Sequence, residues 1–269
     1  MMLCQTTTYE KAQLLKDHTI ELKIDGTRVL VKNGMLYNRD GQNVTFKYPE
    51  LAEDLKKLKG YVLDGEICIL ENGLPNFNKL LERNCTNKFK IKLRAKKNPA
   101  TLILFDLLAV PPTEPLFKKL VPTAEPLIKR QELLKELINA KEFTYIRFIQ
   151  QFATLKEGWD YVKRHNLEGL ILKDRYSKYF MNTRSHYWLK LKNFKEEIME
   201  FSLYEDQPAG IVLKTPDDRI RVTVNGRQAE GVKRIIEERG KVKVVVQYLN
   251  RTKEGKLRFP SFKARWCDV

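Results

Sequence analysis

The run Glu21-Leu22-Lys23-Ile24-Asp25-Gly26-Thr27-Arg28 gathers the residue types of phosphoryl-transfer chemistry within eight positions. Period-2 alternation sets Glu21, Lys23 and Asp25 on one face of a strand, with Leu22 and Ile24 on the other. A lysine between two carboxylates, just before a glycine turn, suits attack on phosphorus. The amine is a compact, tunable nucleophile, and the carboxylates can hold a divalent metal against phosphate charge. By itself the pattern K-x-D-G also describes a charged, solvent-facing strand edge, so the rest of the chain has to decide.

The elements that must position this run can be read in order. Residues 9–18 form a short helix feeding the first strand. Residues 29–32 and 35–39 pair across Asn33-Gly34, a type I′ hairpin signal. Residues 48–59 form a helix with Pro49 at its start and Gly60 at its end. A strand at 61–70, a turn at Asn72-Gly73 and a short helix at 78–84 follow. Residues 88–97 alternate: Lys88, Lys90, Lys92, Arg94 and Lys96 on one side, Phe89, Ile91, Leu93 and Ala95 on the other. As a strand this is a basic ribbon over an apolar face, either a lysine-protected edge or a phosphate-contact surface. A buried strand at 101–110 ends at Pro111-Pro112. Helices at 124–141 and 155–165 flank a strand-like 143–151, and strands at 168–174 and 187–193 close this part. Beyond 193–197 the character changes to five short strands around one helix at 228–239, which suggests a small closed barrel of the OB type.

Composition bounds the partners. The chain has 269 residues, with 50 Lys and Arg against 34 Asp and Glu, a net charge of +16. This excess fits a polyanion, most simply nucleic acid, bound more weakly as salt rises. No basic amphipathic membrane helix or lipidation motif is present, the start lacks signal-peptide character, and no apolar run is long enough to span a bilayer. Cys4, Cys68, Cys85 and Cys267 have no C-x-x-C spacing and there are only three histidines. Reduced thiols in a cytoplasmic compartment, without structural zinc, are expected.

The opening run acquires company in a fixed order: Asp64-Gly65-Glu66, then Phe105-Asp106, then Glu168-Gly169-Leu170-Ile171-Leu172-Lys173. Arg184-Ser185-His186-Tyr187-Trp188-Leu189-Lys190-Leu191-Lys192 and Arg258-Phe259-Pro260-Ser261-Phe262 follow. In this order K-x-D-G-x-R, D-G-E, F-D, E-G-x-x-x-K, K-x-K and R-F-P-x-F resemble the covalent nucleotidyltransferases, specifically the minimal ATP-dependent DNA ligases. Each motif is weak alone; six in order make chance agreement very rare.

The resemblance implies an α+β architecture: an adenylyltransferase domain over residues 1–193 and an OB-fold domain over 194–269. It implies that Lys23 becomes adenylylated, with Glu21 reading the adenine amino group beside Leu22 and Phe105 stacking on the purine. Arg28 and Arg39 would contact phosphate and ribose, Glu66 the ribose, and Lys190 and Lys192 the α-phosphate. Glu168, assisted by Asp25, would hold Mg²⁺ or Mn²⁺. Arg184 would face the nick phosphates, and Arg258 the pyrophosphate when the barrel closes over ATP about a hinge at 193–197. The expected partner is nicked duplex DNA, bound by a monomer and no membrane, in the cytoplasm of a cell or of a viral host.

Two departures from the family pattern stand out. The arginine after R-F-P-x-F falls one residue earlier than usual, at Arg265, so Lys263 could serve instead. The separate DNA-binding domain of larger ligases is not expected ahead of the catalytic part, and the single helix between Val224 and Lys241 leaves no expected room for a long DNA clasp. Basic surface, including Lys88, Lys90, Lys92 and Arg94, is expected to compensate. Competing readings are an RNA ligase or capping guanylyltransferase, which share the lysine chemistry, and a nucleic-acid binder that kept the fold and lost the activity. Glu21 and R-F-P-S-F weigh against capping, absent zinc cysteines against an NAD-dependent ligase, and the intact Lys23, Glu168, Lys190 and Lys192 against an inactive binder.

Overall fold

The structure, a computed structural model, describes residues 1–111, 122–252 and 254–265. It divides into two compact units, Met1–Leu191 and Lys192–Val269. The first unit runs β1 (Leu3–Thr6), α1 (Tyr9–Gln13), β2 (His18–Leu22), β3 (Thr27–Lys32), β4 (Met35–Tyr37), α2 (Ala52–Lys56), β5 (Val62–Glu71) and β6 (Leu74–Pro75). It continues with α3 (Phe77–Glu82), α4 (Lys88–Lys97), β7 (Ala100–Ala109), α5 (Leu127–Ala140), β8 (Ile146–Phe148), β9 (Gln151–Phe152), α6 (Leu155–Arg164), β10 (Gly169–Asp174) and β11 (Arg184–Lys192).

Two sheets carry this unit, one ordered β1-β11-β10-β2-β9 and the other β4-β3-β5-β7-β8. The chain passes from the first to the second between β2 and β3, through Lys23-Ile24-Asp25-Gly26. Apolar side chains from both sheets, including Leu22, Leu170, Leu172 and Leu191 from one and Cys68 and Ile103 from the other, share a core with α6. A larger core lies between the second sheet, α2 and α5. Both expected Asn-Gly hairpins are present, with φ of +53° and +74° at Asn33-Gly34 and +51° and +80° at Asn72-Gly73, the positive pair a type I′ turn requires. Thr154 caps α6, its hydroxyl accepting from the Glu157 amide at 3.1 Å.

Several expectations need correction. Lys23 and Asp25 lie just past the end of β2, in the crossing between sheets. Residues 48–59 do not form one helix: 3₁₀ turns at Thr45–Lys47 and Pro49–Leu51 lead into the five-residue α2. Residues 88–97 form a helix, not a strand. Lys, Arg, Leu and Ala favour helix over strand, and Asn87 caps it by accepting from the Lys90 amide at 3.0 Å. Helical spacing buries Ile91 and Ala95 and turns Phe89 and Leu93 outward, so the flat basic ribbon does not exist. Pro112 and 266–269 lie outside the described residues.

The second unit contains β12 (Lys195–Phe201), β13 (Leu203–Gln207), β14 (Gly210–Lys214), β15 (Arg221–Asn225), α7 (Arg227–Arg239), β16 (Val242–Tyr248) and β17 (Ser261–Arg265). The run 198–204 divides into β12 and β13, which join different sheets. The sheets are three-stranded, β12-β16-β17 and β13-β14-β15, and among the described residues no ladder closes them into a barrel. Alternation is clear in β16, where Val242, Val244, Val246 and Tyr248 face a core shared with β14, β15 and α7.

Candidate active site

The crossing residues are pinned from two sides. The Leu22 and Lys23 amides donate to the carbonyls of Gln150 and Gly169, each at 2.9 Å. Gly26 runs so close to β5 that a Cβ there would stand 2.3 Å from the Ile67 carbonyl oxygen and 2.8 Å from Glu66 Cγ. The glycine of K-x-D-G is thus a requirement of packing: only a residue without a side chain lets β3 pair with β5 so near the lysine.

The cleft is lined by Glu21 and Leu22 from β2, Lys23 from the crossing, Arg28 and Arg39 after it, and Glu66 and Phe105 from the second sheet. Lys173, Arg184, Trp188 and Lys190 from β10 and β11 complete it, with Leu3, Cys4, Ile24, Ile149 and Ile171 as further walls. Lys23 reaches into it, its Nζ 2.8 Å from Glu168 Oε2, with side-chain exposures of 21% and 7%. Burial pulls the amine toward neutrality, but attraction and the hydrogen bond from Glu168, reinforced by Glu66 and Asp25, outweigh it and raise its pKa. Nearby, burial pushes the Glu66 carboxyl up to about 8, opposed by Lys23 and Arg28.

A second lysine–glutamate pair lies deeper. Lys173 Nζ is 2.7 Å from Glu21 Oε2, both side chains 2% exposed. The ammonium sits 4.2 Å from the ring centroids of both Phe105 and Trp188, a desolvated cation–π arrangement. Glu21 Oε1 accepts from Gln131 Nε2 at 2.6 Å, and Gln131 Oε1 accepts from Gln151 Nε2 at 2.8 Å. This network fixes Glu21 at the cleft wall.

Arg28 lines the cleft and is also held by Asp64: Nε to Oδ1 at 3.0 Å and Nη2 to Oδ2 at 2.6 Å, with Asp64 fully buried. The Tyr179 hydroxyl donates to the same carboxylate at 2.5 Å. Arg184 Nη1 donates to the Cys4 carbonyl at 2.7 Å. Lys192 and Arg258 fall in the second unit, where their cationic groups approach the Phe259 ring at 4.2 Å and 5.6 Å. Lys88, Lys90, Lys92 and Arg94 lie on α4 and do not line the cleft.

No cluster of three or more His, Cys, Asp or Glu suited to a metal occurs among the described residues. The carboxylates Glu168, Glu66 and Asp25 that act on Lys23 are nevertheless hard oxygen donors. They fit Mg²⁺ or Mn²⁺, since a hard cation of this kind typically binds through one or two carboxylates plus substrate phosphates.

Comparison with known proteins gives the family. The family model described as ATP dependent DNA ligase domain matches residues 1–192. A DNA ligase of Thermococcus onnurineus is 31% identical over 73% of this chain and 36% of its own. The chain belongs to the ATP-dependent DNA ligases. The SPbeta prophage-derived DNA ligase-like protein LigB of Bacillus subtilis is 27% identical over 93% of both chains, whereas the archaeal DNA ligases that match are spanned over little more than a third of their length. Among solved structures, a Lig E DNA ligase aligns over 99% of both chains with TM-score 0.71 and 18% identity. The ligase domain of Mycobacterium tuberculosis LigD aligns over 100% of this chain and 95% of its own, with TM-score 0.60 and 22% identity. At these identities the likeness is one of fold.

Motif reading passed over several residues that line or support this cleft. Lys173 and Trp188 stood inside quoted motifs without a role, and a lysine ending an apolar strand was the available signal for the first. Gln131, on α5, and Tyr179, in the β10–β11 connection, carried no signal in sequence because their partners Glu21 and Asp64 are 110 and 115 positions away.

Proposed function

We propose that this ligase seals 3′-hydroxyl/5′-phosphate nicks in duplex DNA through an adenylylated Lys23. The observation that carries the reading is a partly exposed lysine amine in a cleft that Phe105, Lys190 and Arg184 also line. Lys23 Nζ, having shed its proton, attacks the α-phosphorus of ATP; the N–P bond forms as the bond to pyrophosphate breaks. A 5′-phosphate oxygen at the nick then takes the AMP and releases Lys23. The 3′-hydroxyl finally attacks the phosphorus of that 5′-phosphate, losing its proton and expelling AMP. Each step is an in-line displacement, so the protein's part is positioning and charge stabilisation.

Within this reading Glu21, held by Lys173 and Gln131, accepts from the adenine amino group, and Leu22 and Phe105 flank the base. Glu66 and Arg39 meet the ribose, and Lys190 and Lys192 the α-phosphate. Arg28, oriented by Asp64, contacts phosphate or ribose from the cleft wall. A divalent metal held by Glu168, with Asp25 near it, would offset phosphate charge. Residues 1–193 serve as the adenylyltransferase domain. Residues 194–269 serve as an OB-type domain that brings Arg258 to the pyrophosphate, with Lys263 or Arg265 beside it. Arg184 and the cations of α4 contact DNA. The enzyme works as a monomer in the cytoplasm.

The test is sealing of a singly nicked DNA duplex with ATP and Mg²⁺, beside Lys23→Ala and a nicked all-RNA duplex. Sealing of DNA by the native protein alone supports the reading. Sealing of RNA but not DNA would keep the chemistry and overturn the substrate, and no sealing of either would leave a binder on a ligase scaffold.

A further inference from the structure

Helix α4 is built against its own electrostatics. From Arg83 to Phe105 the sequence carries seven cations, Arg83, Lys88, Lys90, Lys92, Arg94, Lys96 and Lys97, and no carboxylate. Lys88 and Lys90 occupy the first turn, and no acidic residue stands there. The helix dipole disfavours positive charge at that end. Lys88–Lys92, Lys90–Arg94 and Lys92–Lys96 are like-charge pairs at i,i+4, each destabilising. Only Ile91 and Ala95 of the helix are buried against the body. Phe89 and Leu93, one turn apart, stand 77% and 60% exposed among these lysines.

Neither feature serves the fold. Like charges crowded on one short helix call for a polyanion, and an exposed Phe–Leu step calls for apolar surface on that same polyanion. A nucleic-acid duplex offers both: phosphates along the groove edges, and deoxyribose faces and base steps between them, where apolar side chains insert in groove-binding proteins.

We propose that α4 docks on the duplex as an apolar-tipped cationic finger, Phe89 and Leu93 entering a groove while Lys88, Lys90, Lys92, Lys96 and Lys97 take flanking phosphates. The inference rests on the ligase reading for the identity of the polyanion. It goes beyond that reading by assigning the apolar pair a share of the affinity independent of charge.

The two contributions separate by salt. Phe89→Ser/Leu93→Ser is expected to weaken binding to a nicked duplex about tenfold with an unchanged slope of log affinity against log salt. Lys88→Gln/Lys90→Gln/Lys97→Gln is expected to flatten that slope by about one unit for each phosphate no longer neutralised. A Phe89→Trp reporter should show blue-shifted emission with duplex DNA and no shift with heparin, a polyanion without stacked bases. Because both apolar residues are exposed, the serine variant should keep native thermal stability and form the Lys23–AMP adduct at the native rate. Unchanged duplex affinity in the serine variant overturns the proposal, whether the face is idle or covered by an acidic protein. An equal shift of the Phe89→Trp reporter with heparin also overturns it. Failure of the native protein to form the adduct would instead defeat the ligase reading.

Discussion

Two lysine–glutamate pairs stand in one cleft at nearly equal distance, 2.8 Å for Lys23–Glu168 and 2.7 Å for Lys173–Glu21. They differ in solvent access. Lys173 and Glu21 are both 2% exposed, whereas Lys23 is 21% exposed and opens onto the cleft. A fully desolvated pair is strongly coupled, because removing one partner leaves a bare buried charge. Where solvent reaches the amine, as at Lys23, the partner can be exchanged for a ligand. The same two residue types thus yield a fully buried strut in one place and, in the other, an amine open to the cleft, as the proposed nucleophile requires.

The largest effect expected is at the accessible pair. Lys23→Ala should abolish the AMP adduct and lower sealing by about 10⁴-fold or more, with thermal stability near native. Glu168→Gln, measured by single-turnover adenylylation, should lose about 10²–10³-fold, again with little change in stability. The deep pair should respond the opposite way. Lys173→Met should cost about 3–5 kcal/mol of folding stability and reduce the preference for ATP over GTP in adduct formation. Lys173→Met/Glu21→Gln should recover much of that stability but not the preference. If Lys173→Met proved as stable as native, the contrast between the pairs would fail.

The smallest effect expected is pH-dependent. Glu66 has a folded pKa of about 8, above the ordinary 4.5. The folded state therefore keeps a proton that the unfolded chain loses, and this stabilising share, full below pH 4.5, declines as pH rises and is gone above pH 8. Glu66→Gln, which mimics the protonated form, should melt close to native at about pH 5 and at least about 2 °C higher at about pH 9. Parallel melting profiles would place Glu66 in a wetter environment than the cleft shows.

Much of the site was legible because its chemistry lies in short local motifs: Glu21, Lys23, Glu66, Phe105, Arg184 and Lys190 all line one cleft. The glycine of the first motif was legible as a turn, yet its reason, contact with the Ile67 carbonyl, is a long-range packing fact. That Arg28 is also paired with Asp64, with Tyr179 behind it, could not be read from sequence, because Asp64 lies on another strand and Tyr179 is 115 positions from it. The basic stretch at 88–97 misled for a different reason. Alternating Lys and apolar residues satisfy a period of two, and a run of strong helix formers also satisfies a helix that buries only every fourth residue. In the second unit, alternation located the strands while the division at Ser202 between two sheets left no trace in hydrophobic pattern.

The central claim is that Lys23 is the residue that carries AMP. Incubation of the purified protein with ATP and Mg²⁺, followed by peptide mass mapping, tests it directly. One AMP is expected on the peptide containing Lys23, discharged when nicked duplex is added. An adduct on another lysine, or none on a protein that still seals nicks, would contradict it.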